Sequence, residues 1–252
     1  MKPRVLRIIL FSLSFILVFN SCAFRGREKK DIKFSQDEEI KFGNYLDEII
    51  MSMYIPYRDD RVQRALDALL RDLSVHSPKK IPYRIKVLIS IEPNTFSTPD
   101  GNIYITTGLL DILDKRCEVA AAIAREIGHI VYSHHIKMYL EEAKRKGGAE
   151  IVTSIFNLVK SQLPGFSEKG AKMALSSVTS IVTRKGYTKK MEMEADRFSA
   201  YLLEQSGFSP ACLISYLKKL YKAERKTFKG VGLLSSSRKF LRERIEKLEG
   251  SM

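Results

Sequence analysis

Along most of the chain apolar residues recur at helical spacing, and only between residues 83 and 107 does the pattern switch to alternation. Ser35-Gln-Asp-Glu38 has the form of a capping box, and Ile40, Tyr45, Leu46, Ile49 and Ile50 follow it as one helical face. A second helix is expected from about Asp59 to Leu73, with Val62, Leu66, Leu69, Leu70 and Leu73 on its apolar side. Pro78 and Pro82 end that pattern. Ile85, Val87, Ile89 and Ile91 then alternate with polar residues, which predicts a strand over 83–91. Pro99-Asp100-Gly101-Asn102 is a turn signal, and Ile103, Tyr104, Ile105, Thr106 and Thr107 read as a second strand.

From Glu118 to about Lys144 one long helix is expected. Gly147-Gly148 interrupts it, and two weaker helices, 151–159 and 172–182, flank Pro164-Gly165. Further helices are expected over 188–205, stopped by Gly207, over 210–222 opened by Pro210, and over 237–249. No internal repeat is visible. The fold class is therefore α+β and mostly helical, with one small sheet.

The N-terminus stands apart from this pattern. Lys2, Arg4 and Arg7 precede an apolar run from Ile8 to Phe19, too short for the roughly 20 residues of a spanning helix. It ends in Phe19-Asn20-Ser21-Cys22-Ala23, which resembles the lipobox of bacterial lipoproteins, with Phe19 and Asn20 departing from the usual Leu-small-small. That resemblance implies a signal peptide over 1–21, lipidation of Cys22, a linker over 22–34 and a globular domain over 35–249. Ordinary secretion and an uncleaved anchor stay open as alternatives. A lipid-anchored protein facing the periplasm is the expected localisation, and the absence of Asp after Cys22 tilts it to the outer membrane.

The 252 residues are 44% hydrophobic and 29% charged, enough for one sizeable folded domain. The net charge of +14 favours contact with anionic lipid headgroups. Nucleic acid is not an expected partner of an envelope protein, and no basic tract is interleaved with aromatics. Cys117 and Cys212 lie in apolar helical contexts and are expected as buried thiols, with a bridge left open.

The residues that carry chemistry lie in Ala124-Arg125-Glu126-Ile127-Gly128-His129. Zinc hydrolases place two ligands at i and i+4 on one helical face, with a glutamate between them to take a proton from metal-bound water. Here Glu126 and His129 hold the glutamate and second-histidine positions. Position 125, where the first histidine belongs, is arginine, whose guanidinium has no lone pair to give a metal. Glu-x-x-His alone is a weak signal, since a solvated Glu and a core His give the same pattern.

The surroundings strengthen it. Asn94-Thr-Phe96, Gly101 to Leu110, Ala-Arg-Glu-Ile-Gly-His, Tyr187 to Asp196, Gly207-Phe-Ser-Pro210 and Glu243-Arg244-Ile-Glu-Lys-Leu248 resemble, in order, the motifs of peptidase family M48. The resemblance implies a zincin-like domain whose edge strand, here Ile103 to Thr107, holds extended substrate beside the active-site helix. It implies Glu126 as the catalytic base, His129 and Glu192 as metal ligands, Asp196 as orienter of a ligand histidine, and Arg244 as a possible oxyanion or substrate contact. A second histidine of the family's site is Arg238 here. His134 and His135, counted along a continuous helix, turn away from the metal side and are expected as structural or surface residues.

Zinc is thus expected only in a weakened site or not at all. Without it, Glu126 and Glu192 would face one cavity, and Arg125 is positioned to bridge them. Three readings follow: a catalytically impaired relative binding unfolded or extended polypeptides as chaperone or adaptor; an active zinc metalloendopeptidase acting on misfolded envelope or membrane proteins; and an envelope scaffold.

Overall fold

A computed structural model describes residues 34–145, 187–227 and 235–250. The expected signal peptide, Cys22, the linker and the helices at 151–159 and 172–182 lie outside the described residues. Among those described, no helix is long and apolar enough to cross a membrane.

Helix α1 spans Gln36–Met53, and its capping box forms: the Ser35 hydroxyl accepts from Glu38 N, while the Glu38 carboxylate accepts from Ser35 N at 2.8 Å. Phe42, Leu46 and Ile50 form its buried face. Helix α2, Asp60–Ser74, is N-capped by Asp59 and buries Leu66, Leu69, Leu70 and Leu73. The sheet follows, with β1 at Arg84–Leu88, β2 at Thr95–Ser97 and β3 at Asn102–Thr106. The expected strand over 83–91 is shorter because the chain leaves the sheet at Ile89, and the Thr107 hydroxyl and Gly108 N bind the Ser90 backbone. Period-two alternation splits the core. Ile85, Val87, Ile103 and Ile105 face α2 and the central helix, whereas Leu88, Phe96 and Tyr104 join Phe42, Leu46 and Ile50.

The strand order is β1-β3-β2, with β1 parallel and β2 antiparallel to β3. This corrects the expectation that Ile103 to Thr107 is an edge. β3 is paired on both sides, all five of its residues are buried, and Thr107 opens the short helix α3, Thr107–Leu110. The β1 side is closed as well. Tyr57 N donates to Val87 O and Ile89 N donates to Ile55 O, both at 2.8 Å, and Pro56 lies opposite Leu88 with no N–H to offer outward. β2 is left as the outer strand.

Helix α4 spans Arg116–Val131 and is buried on every side from Ala120 to Ile130. Four alanines keep it thin, so sheet and helices approach it closely. It packs most extensively on α6, Lys189–Gln205, and then on α7, Ala211–Thr227, which in turn contacts α8, Ser235–Glu249. At Gly128 an added Cβ would lie 3.2 Å from Ala195 Cα and 3.3 Å from Phe198 Cδ1, so glycine sets the α4–α6 separation.

Cys117 at the start of α4 is disulfide-bonded to Cys212 of α7, which corrects the expectation of free thiols. The sequence separation is 95 residues, and local apolar neighbours carried no trace of the pairing. Closing such a loop is worth roughly 4–5 kcal/mol in the chain-entropy account. Buried Glu118 fixes the same end, accepting from Ser215 at 2.6 Å and Lys219 at 2.7 Å.

The expected helix from 118 to 144 is in fact two. α4 ends at Val131, Ser133 takes a positive φ of 50°, and α5 runs over His134–Arg145. Lys79 stabilises the break: its ammonium donates to Ile130 O at 3.1 Å, reaches Ser133 Oγ at 3.4 Å, and pairs with Glu39.

Gly128→Val should force α4 and α6 apart and lower stability by about 1–3 kcal/mol. Urea midpoints equal to those of the unsubstituted chain would show that the crossing tolerates a larger side chain.

Candidate functional site

Residues separated widely in sequence converge where α4, α6, α8 and β2 meet. The pivot is Arg125, whose side chain is fully buried. Its Nη2 donates to Glu192 Oε2 and to His129 Nε2, the latter at 3.2 Å. Its Nε donates to Asp196 Oδ1 at 3.1 Å, and Nη1 lies 3.8 Å from Glu126 Oε1. Arg244 of α8 grips the same acids, with Nε and Nη2 donating to Asp196 at 2.6 and 2.7 Å and Nη1 2.8 Å from Glu192. Two guanidinium groups thus neutralise most of three buried carboxylates. Burial alone would loosen the Arg125 proton, but Glu192 and Asp196 outweigh it and the net shift is upward.

Because a guanidinium only donates, His129 Nε2 must accept, and the network puts the proton of the neutral ring on Nδ1. That nitrogen faces His134 Nδ1 at 3.1 Å, so His134 is protonated on Nε2, which donates to Glu194 at 3.2 Å. Tyr187 stacks on His129 with ring centroids 4.3 Å apart. On the other side, Ser97 of β2 donates to Glu126 Oε2 at 3.0 Å and accepts from His135 Nε2 at 3.0 Å. His134 and His135 are both fully buried, so the expectation that they lie away from the site is overturned. The counting assumed an unbroken helix; the left-handed turn at Ser133 swings both rings inward. Burial holds His134 down to about 4, against the pull of Glu194, and His135 down to about 3, helped by His134 and Lys79. Both are neutral near pH 7.

Asp196 binds Arg125, which stands at the expected first-ligand position, and Arg244. Arg244 is 4% exposed and binds Glu192 and Asp196. The Arg238 side chain lies outside the described ones. Ser97, Tyr187, His134 and His135 are the participants that sequence reasoning missed; no glycine or proline near Ser133 marks the turn that brings in the last two.

The residues present do not fit zinc. Zinc needs nitrogen and oxygen donors converging at about 2.0–2.2 Å around one point. Here the two candidate ligand atoms, His129 Nε2 and Glu192 Oε2, converge on a single guanidinium nitrogen instead. Among the described residues no cluster of three His, Cys, Asp or Glu side chains is arranged to hold a metal.

The model of peptidase family M48 matches residues 56–251. The beta-barrel assembly-enhancing protease of Escherichia coli K12 is 25% identical over 192 residues, 75% of this chain and 38% of its own length. Metalloprotease LoiP of the same strain is 29% identical over 148 residues, 57% of this chain and 53% of its own. The mitochondrial metalloendopeptidase OMA1 of Arabidopsis thaliana is 29% identical over 139 residues, 54% and 26% respectively. The chain therefore spans about two fifths to half the length of these bacterial relatives.

Arg125→Met should leave the buried acids without their central cation and cost about 3–5 kcal/mol of stability in denaturant unfolding. A loss under about 1 kcal/mol would mean that the acids find another partner. Histidine protonation sets a second expectation. The folded values of His134 and His135 lie below the ordinary 6.5, so the unfolded chain binds more protons beneath that pH. Their contribution is complete above about 6.5 and is lost as pH falls toward 4 and then 3. Urea midpoints should decline across this window and less steeply in His135→Gln; identical slopes would refute the assignment.

Proposed function

The chain belongs to peptidase family M48, and from that premise we propose that it is a zinc-free relative that binds extended polypeptides in the bacterial envelope. The observation that carries this reading is the seat of the Arg125 guanidinium between His129 Nε2 and Glu192 Oε2. Peptide hydrolysis on this plan needs a Lewis acid to polarise water and a carboxylate to accept its proton. Arginine supplies charge to the two carboxylates but no vacant orbital for water, and Glu126 is engaged by Ser97. A buried cation that satisfies the acids preserves the helix crossing without supplying hydrolytic chemistry.

Binding does not need the metal. An extended segment can add to a sheet along an unpaired strand edge, with backbone hydrogen bonds giving affinity. β2 is the outer strand of the three, with Thr95, Phe96 and Ser97 buried, so a guest segment that adds there must first uncover it. The Cys117–Cys212 bridge supports an oxidising compartment such as the periplasm, and the lipobox-like Cys22 supports a membrane tether. A role in protein quality control as chaperone or adaptor follows from these features together. The active zinc endopeptidase is the competing reading, favoured by the retained Glu126 and by relatives named as proteases.

Metal analysis and digestion separate the two. Purified full-length protein should hold far less than stoichiometric zinc, leave β-casein intact with or without chelator, and still bind it. Arg125→His should raise zinc affinity by restoring the second imidazole. Stoichiometric zinc, or casein cleavage abolished by chelator and by Glu126→Gln, would overturn the proposal.

A further inference from the structure

Between α6 and α8, on the flank of the buried cluster, lies a cavity of about 150 Å³ lined by Met193, Asp196, Arg197, Arg244, Lys247 and Leu248. Its one acid is already satisfied, because Asp196 receives three donors from Arg125 and Arg244. Arg244 spends three of its five N–H groups on Glu192 and Asp196. Arg197 and Lys247 are exposed, and neither makes an ion pair among the described residues. Met193 and Leu248 supply an apolar wall. The cavity therefore offers surplus positive charge beside a small greasy surface.

A cavity near 150 Å³ admits a guest about the size of benzene. That is room for one apolar side chain and too little for a long acyl chain. The occupant must carry its negative charge next to that side chain. An internal Asp or Glu fails this condition, since its charge ends the side chain and leaves the wall uncovered. The last residue of a polypeptide satisfies it, because carboxylate and side chain branch from the same carbon.

We propose that this cavity holds the C-terminal residue of an extended polypeptide, with the α-carboxylate on Arg197 and Lys247 and an apolar side chain against Met193 and Leu248. The proposal rests on the polypeptide-binding reading above and adds to it a preference for free, apolar chain ends. Both rim cations are exposed, so the attraction weakens with salt.

Fluorescence anisotropy on the full chain tests it with two short peptides of one sequence, both ending in Leu, one a free acid and the other a C-terminal amide. The amide should bind about tenfold more weakly, the loss expected for a charge-assisted contact. The Arg197→Ala/Lys247→Ala double variant should weaken the acid by a similar factor and leave the amide unchanged; a merely structural role for these cations would not separate the two peptides. Equal affinities for acid and amide, with unfolded casein still bound, overturn this proposal alone. Failure to bind casein at all removes the polypeptide-binding reading, and this one with it. Binding to phosphatidylglycerol vesicles that the double variant abolishes, without peptide discrimination, assigns the cations to lipid and also overturns it.

Discussion

The buried guanidinium of Arg125 is the contact through which the architecture is organised. An arginine with no exposure survives only where acids and other acceptors receive its hydrogen bonds, and here Glu192, Asp196 and His129 do so. Those partners come from two helices, and a second arginine on a third helix binds the same acids. Removing water makes each of these attractions stronger, and it makes each of them obligatory. Helices α4, α6 and α8 are consequently held by complementary charge at their centre and by apolar packing around it.

Other features serve that contact. Gly128 lets the α4 and α6 backbones close to a distance at which side chains from both can share one cation. The Cys117–Cys212 bridge and the Glu118–Lys219 pair anchor the far end of α4, so the helix carrying Arg125 is fixed at one terminus by a covalent bond and an ion pair. At the other terminus Lys79 caps the helix and steadies the turn from which His134 and His135 enter. Within this scaffold Arg125 places positive charge between buried carboxylates and has no lone pair or open coordination position of its own.

Much of this was legible along the chain. Periodicity located α1, α2, α6 and α8 to within a few residues, because each helix is amphipathic, and the first three also carry local N-caps. The meeting of Arg125 with Glu192 was expected only from the resemblance to family M48, since the two lie on different helices and no local spacing joins them. What escaped was non-local. The strand order depends on which segment pairs with which, and Ile103 to Thr107 looks the same in sequence whether it is central or at an edge. The disulfide joins residues 95 apart. The inward turn of His134 and His135 depends on one backbone angle at Ser133, held by a lysine more than fifty positions away, and no pattern of hydrophobicity encodes that.

Pro56 has an effect that reaches beyond the single molecule. A sheet that can accept a neighbour on both flanks can serve as a link in an endless ribbon. With an imino acid on one flank, the sheet offers no continuous ladder there, so neighbouring molecules have no route by which their sheets join through that side.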